Sequence, residues 1–272
     1  MIITTARSAR PNSLTVTRML AFVASTAILA SAAEAGTSVQ GKAQPDAQLW
    51  LAQAVIFGSG DEVVDMLVGL AHIGARLDVG MDLFNQGNEE AARGHFQAVA
   101  ETTYPEFAAQ FADRQMPAMA DALADLATLG EPVEMSKKYL EVRKALSDAA
   151  IGLGATSDQQ FAALAMEVEA VADALDKSVS GGRVTDPVAF QGAWGLLLAA
   201  SASASQLASA SEPSLRKSGT KASLLIDDLV VALPEANPSA PVELSSVTVR
   251  EVAMEIKQMA SAVAGQQGVA TN

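Results

Sequence analysis

The chain has two histidines, and both fall in residues 61–104, with Asp78 and Asp82 between them. Neutral imidazole and carboxylate are the side chains that hold a transition-metal cation in a cysteine-free protein, and a buried imidazole is also a common hydrogen-bonding group. The stretch reads as two helices folded back at Gln86, Gly87 and Asn88. His72 then lies well before the turn and His95 about half as far after it, so at about 1.5 Å per residue their heights differ by roughly 10 Å. A straight hairpin therefore cannot bring both rings to one ion. His95 instead comes level with Val79, within a turn of Asp78 and Asp82. The candidate metal residues are His95, Asp78, Asp82 and His72, and the cofactor they could take is a transition-metal cation. The structural alternative, which the apolar surroundings of His95 favour, is a hydrogen bond from His95 to one aspartate, Asp78 before Asp82.

Other chemistry has little support. The chain contains no cysteine, which removes disulfides, thiolate nucleophiles and thiolate metal sites. No G-x-S-x-G or H-E-x-x-H pattern occurs. Gly58, Ser59, Gly60 and Gly152, Leu153, Gly154 are too short for phosphate-binding loops and serve as helix stops. A formal net charge of −13 repels nucleic acid and anionic membranes and suits a cation or a basic protein partner. These exclusions favour a non-enzymatic binding or scaffolding protein.

The elements that must position these residues are helices. Val64, Leu67, Val68, Ala71, Ala75, Val79 and Leu83 recur at three- and four-residue steps, the mark of a helix with one buried face. Gly87 can end it in the left-handed conformation and Asn88 can cap the next helix, expected to end near Thr102. Tyr104, Pro105 and Glu106 then begin a helix to Leu129 that Pro117 should kink or split. Helices are also expected over residues 47–57, 133–151, 159–177, 186–210, 214–233 and 247–263. The lysine- and arginine-bearing face at Lys137, Lys138, Arg143 and Lys144 should pair with carboxylates of neighbouring helices. Residues 178–185 read as a flexible loop, and the prolines between Pro234 and Pro241 as an extended strap. No strand series is apparent, so the fold class is all-α: an up-and-down antiparallel helical bundle, divisible into two helical subdomains.

The N-terminus has the form of a secretory signal. Arg7, Arg10 and Arg18 precede an apolar run over residues 19–30, and Ala33 and Ala35 supply small residues for cleavage. The run is short of the roughly 20 residues of a membrane span. Cleavage after Ala35 removes three arginines and one glutamate, taking the net charge from −13 to about −15, and places the protein in the periplasm or outside the cell, with no stable membrane insertion. The expected organisation is a signal peptide (1–35), a leader (36–44), an N-terminal helical group (45–129), a C-terminal helical group (133–264) and a tail (265–272).

Two resemblances follow from quoted motifs. Gly80, Leu83, Phe84, the Gln86, Gly87, Asn88 turn, Ala91, Ala92, Phe96, Ala98 and Pro105 resemble one tetratricopeptide unit, which implies a helical adaptor holding a peptide or protein partner. More of the chain is involved in the second. The export signal, A-H-I-G and Q-G-N-x-E-A-A-x-x-H-F in the helix pair, Tyr139 and Leu140, D-P-V-A-F-Q-G-A-W-G-L-L from Asp186 and the Leu233, Pro234 strap resemble the helical periplasmic domains associated with bacterial iron-permease systems. That resemblance implies an accessory protein of iron uptake with acidic and histidine ligands. Here His72 and His95 are the residues that carry over, and the stretch from Ala189 to Ala193 holds no carboxylate.

Overall fold

The computed structural model describes residues 58–114, 119–128 and 130–270. The expected signal, leader and helix at residues 47–57 lie outside these. The helices are α1 (Glu62–Asn85), α2 (Glu89–Ala98), α3 (Tyr104–Asp113), α4 (Ala120–Thr128), α5 (Pro132–Gly152), α6 (Ser157–Ser178), α7 (Pro187–Ala208), α8 (Pro213–Ala232) and α9 (Ser246–Ala270). The fold is all-α, with one small exception described below.

Local chemistry explains most boundaries. Asp61 caps α1, its Oδ1 accepting from Val63 N at 2.9 Å and Val64 N at 3.3 Å, while Gln159 Nε2 donates to its Oδ2 at 2.8 Å. One carboxylate thus starts α1 and ties it to α6, and these bonds hold it below the usual carboxylate range. Gly87 adopts φ +80° as the turn requires. A capping box of Thr156 and Gln159 starts α6, two residues before the expected start at residue 159. Asp186 and Glu212 cap α7 and α8, each with a proline in the first turn.

Three expectations change. α2 does not stop near Thr102 but runs into α3 through a π turn, Val99–Thr103, in which Tyr104 N bonds back to Val99 O. Pro105 has no N–H for the ladder, and widening the preceding turn by one residue lets the helix continue past it. α3 ends at Asp113 and α4 begins at Ala120; Pro117, where a kink or split was expected, lies outside the described residues. The loop at residues 178–185 is a tight hairpin, with β1 (Val179–Ser180) antiparallel to β2 (Arg183–Val184) and positive φ at Gly181 and Gly182. Val242 N donates to Gly182 O at 2.9 Å, pinning the strap to the hairpin. Lastly, α9 continues to Ala270, through most of the expected tail.

Packing divides differently from the expected break at residues 129–132. Buried residues of α5, including Met135, Val142, Leu146 and Ala149, join the core of α1 to α4, around Phe96, Phe107, Phe111 and Leu123. The second core belongs to α6 to α9, around Phe161, Val168, Phe190, Leu197, Ile226 and Ile256. Trp194 touches both, and α1 packs on α2, α5, α6 and α7. α1 is accordingly buried on almost every side: Met66, Leu70, Ile73, Leu77 and Met81 are covered along with Val64, Val68, Ala75, Val79 and Leu83. The single stripe expected of it understates this. α7 has the length and composition of a membrane span, but its apolar residues are used against α1, α6 and α8. Its serine- and alanine-rich second half packs, with Ala200, Ala204 and Leu207 buried.

Close approach depends on absent side chains. A Cβ on Gly219 of α8 would collide with the Leu207 and Ala208 backbone of α7, and one on Gly195 of α7 would meet Ala75 O and Val79 of α1. Gly94, exposed on α2, has nothing near. Gly219→Ala is therefore expected to destabilise by about 1–3 kcal/mol through overpacking, whereas Gly94→Ala stabilises by about 0.5–1 kcal/mol through helix propensity. Urea midpoints of the two variants check both signs.

Candidate functional site

The expected histidine and aspartate residues do not converge. His95 is 2% exposed, but its Nε2 lies 3.0 Å from Gln191 Oε1 on α7, not beside an aspartate. Gln191 Nε2 in turn donates to Asn237 Oδ1 at 2.8 Å. Because Gln191 offers its oxygen to the ring, Nε2 carries the proton, and the chain of donors runs from α2 through α7 to the strap. Asp78 is occupied elsewhere, accepting from Tyr139 Oη at 2.7 Å and facing Arg143 Nε at 3.4 Å. Asp82 accepts from Gln86 at 2.6 Å. The His95–Asp78 or His95–Asp82 bond expected from hairpin height is thus replaced by His95–Gln191. The hairpin argument treated two helices alone, whereas a third, α7, supplies the facing side chain.

His72 is also buried. Burial pushes its ring down to about 3, and the Arg76 charge adds to that. Burial likewise takes His95 down to about 4, opposed by the Gln191 bond and aided by Arg76. Both rings are neutral near pH 7, and the guanidinium between them disfavours a second cation. Among the described residues no group of three or more histidine, aspartate or glutamate side chains could hold a metal ion. The basic face of α5 pairs as expected for Lys138 with Asp125 of α4 and Arg143 with Asp78 of α1, while Lys144 pairs with Asp148 of its own helix.

The site that does form lies between α1, α5, α6 and α7. It is a cavity of about 450 Å³. Leu67, Leu70 and Ala71 of α1, Leu146 and Ala150 of α5, Ala163 of α6 and Ala199 and Leu207 of α7 give it apolar walls. Its polar groups are Arg143 and Ser147 on α5, Gln160 and Glu167 on α6, and Ser203 and Gln206 on α7. Ser147, Ile151, Ala202 and Gln206 are exposed and mark its mouth. Size and lining are those of a small-molecule site.

Glu167 is the unusual member. It is 3% exposed, and Ser203 Oγ donates to its Oε2 at 3.3 Å. Burial pushes its carboxyl up to about 8, with the Ser203 bond opposing the rise. A neutral carboxyl at the wall of a cavity can donate a hydrogen bond, or ionise when a cation arrives. Sequence reasoning missed it because Glu167 sits in α6 among apolar residues with no recognisable motif. The available signal was its register: it follows Ala163 by four residues and Leu164 by three, on the buried side of the helix.

Opposite pH responses follow. The depressed histidines contribute stability that is present above their unfolded value of 6.5 and lost as pH falls toward 4. The raised Glu167 contributes stability that is present below its unfolded value of 4.5 and lost as pH rises toward 8. Urea unfolding across pH 4–9 should show His95→Gln flattening the acid side. Glu167→Gln should remove a decline of at least ~2 kcal/mol on the other, each pH unit between the two values being worth about 1.4 kcal/mol. Comparison with known proteins adds no relative: no family model, curated protein or solved structure matches the chain.

Proposed function

We propose that the protein is an exported, non-enzymatic binding protein that holds a small ligand in the cavity between α1, α5, α6 and α7. The observation that carries the reading is a cavity of about 450 Å³ between four helices, with leucine and alanine on its walls and one buried carboxyl. Its lining brings no histidine to Ser147 or Ser203, and the Glu167 carboxyl that accepts from Ser203 is held protonated near pH 7 by burial, so a binding role is favoured over nucleophilic catalysis. Export is supported by the arginine-flanked apolar run and the Ala33, Glu34, Ala35 site. A role in iron uptake draws support from the sequence resemblance alone, since His72, His95, Asp78 and Asp82 are engaged in separate places in the fold.

The neutral dye N-phenyl-1-naphthylamine, which fluoresces on entering apolar surroundings, tests the cavity. Saturable one-to-one enhancement is expected, and Ala202→Trp, at the exposed mouth, should abolish it while leaving helical circular dichroism unchanged. Enhancement undiminished in that variant, or none with folded wild type, overturns the reading. Export is checked by sequencing the purified cellular protein from its N-terminus, which should begin at Gly36; an intact Met1 on cytoplasmic protein contradicts it.

A further inference from the structure

The cavity has the chemistry to choose among ligands. Its two ionisable lining groups differ in their partners. Arg143 is already committed, its Nε facing Asp78 Oδ1 at 3.4 Å and its guanidinium lying over Gly74, where a Cβ would collide with it. Glu167 has Ser203 Oγ as its side-chain partner at 3.3 Å, a long bond that leaves acceptor capacity on a group able to take about four. The apolar surface of Leu67, Leu70 and Leu146 stands on the opposing helices. We propose that the cavity selects a small organic cation, an ammonium group on a compact apolar body, with Glu167 as its counter-ion.

This deepens the binding reading above and rests on it. An ammonium group entering the cavity would supply the opposite charge that the folded protein withholds from Glu167, and its hydrocarbon body would displace water from the leucine and alanine walls. An anionic ligand would share Arg143 with Asp78, which lies 3.4 Å from its Nε, and meets a net charge of −13.

Binding of a cation must ionise Glu167, so the site should release a proton below pH 8 and lose affinity as pH falls. The groups around Glu167 leave this behaviour to the carboxyl itself. α7 carries no charged residue along Pro187–Ala208. α5 contributes Arg143, and the α1 lining residues Leu67, Leu70 and Ala71 are apolar. Elsewhere on α1, the Arg76 charge acts on His72, His95 and Glu106. From α9, Arg250 is held on α6 by Asp173 and Asp176, both at 2.7 Å. The shift of Glu167 arises from burial and Ser203.

The test compares 1-aminoadamantane with the uncharged 1-adamantanol, nearly identical in shape, by calorimetric titration of the whole protein from pH 6 to pH 9. A primary ammonium keeps its proton over this range, its ordinary value being about 10.4. At pH 9 the amine should bind at least tenfold more tightly than the alcohol, and the ratio should fall at least tenfold by pH 6. In Glu167→Gln, shown folded by its melting transition, the ratio should approach one with no pH dependence while the alcohol still binds. Ala202→Trp should block both compounds. If the alcohol binds as tightly as the amine in wild type, or the preference survives Glu167→Gln, the cation inference is overturned and the cavity reading stands. If neither compound binds folded protein at any pH, both fail.

Discussion

The arrangement depends on α1 being enclosed. A helix carrying Met66, Leu70, Ile73 and Leu77 on sides other than its expected stripe has little face to offer water, and must have neighbours on almost every side. Those neighbours can approach only where side chains are missing. Gly69 admits the Phe107 ring, Gly80 the Phe96 ring, and the Ala75 carbonyl rests where a Cβ on Gly195 would be. The hydrophobic gain is spread over many modest contacts, as an alanine-rich chain with 4% aromatic residues requires. Enclosure also fixes the polar chemistry. Polar side chains along the middle of α1 are taken out of water, which is why His72, Arg76 and Asp78 all depart from their ordinary proton affinities through burial.

Two ways of managing a buried polar group coexist. His95 is neutral and its Nε2 is joined by Gln191 and Asn237 into a chain that spans two helices and the strap, so that one ring nitrogen is satisfied and the strap gains an anchor. Glu167 has one long side-chain hydrogen bond and stays protonated near pH 7. The first arrangement is what a core polar residue needs in order to be tolerated. The second keeps an acceptor unused where the structure also has space, and a group whose protonation responds to its neighbours is characteristic of binding and catalytic sites.

The all-α class, the Gly87 turn, the Asn88 cap and the helix from residue 186 were legible in the sequence, because each is decided within a few residues by capping, backbone freedom or helical period. What was not legible depended on contacts between distant elements. The partner of His95 is 96 residues away, and Gln191 is unremarkable until α7 lies against α2. The assignment of α5 to the N-terminal core could not be read from the break at Gly130 and Pro132, since a break in the chain need not be a break in the core. The continuation through Pro105 required a π turn, for which Val99–Thr103 carries no strong signal beyond the proline that follows it.

The cavity follows from the same composition that permits close packing. Where a glycine meets backbone, as at Gly219, helices come together without a gap. Where Ala71, Ala150, Ala163, Ala199 and Ala202 face one another from four helices, no side chain reaches across, and space remains. Leucine at a few of these positions would fill it and add on the order of 0.8 kcal/mol for each buried methylene, so the small residues carry a cost in stability. A buried glutamate beside that space adds a second. Both costs fall at one place, and local departures from close packing are expected where a protein must accept something from outside itself.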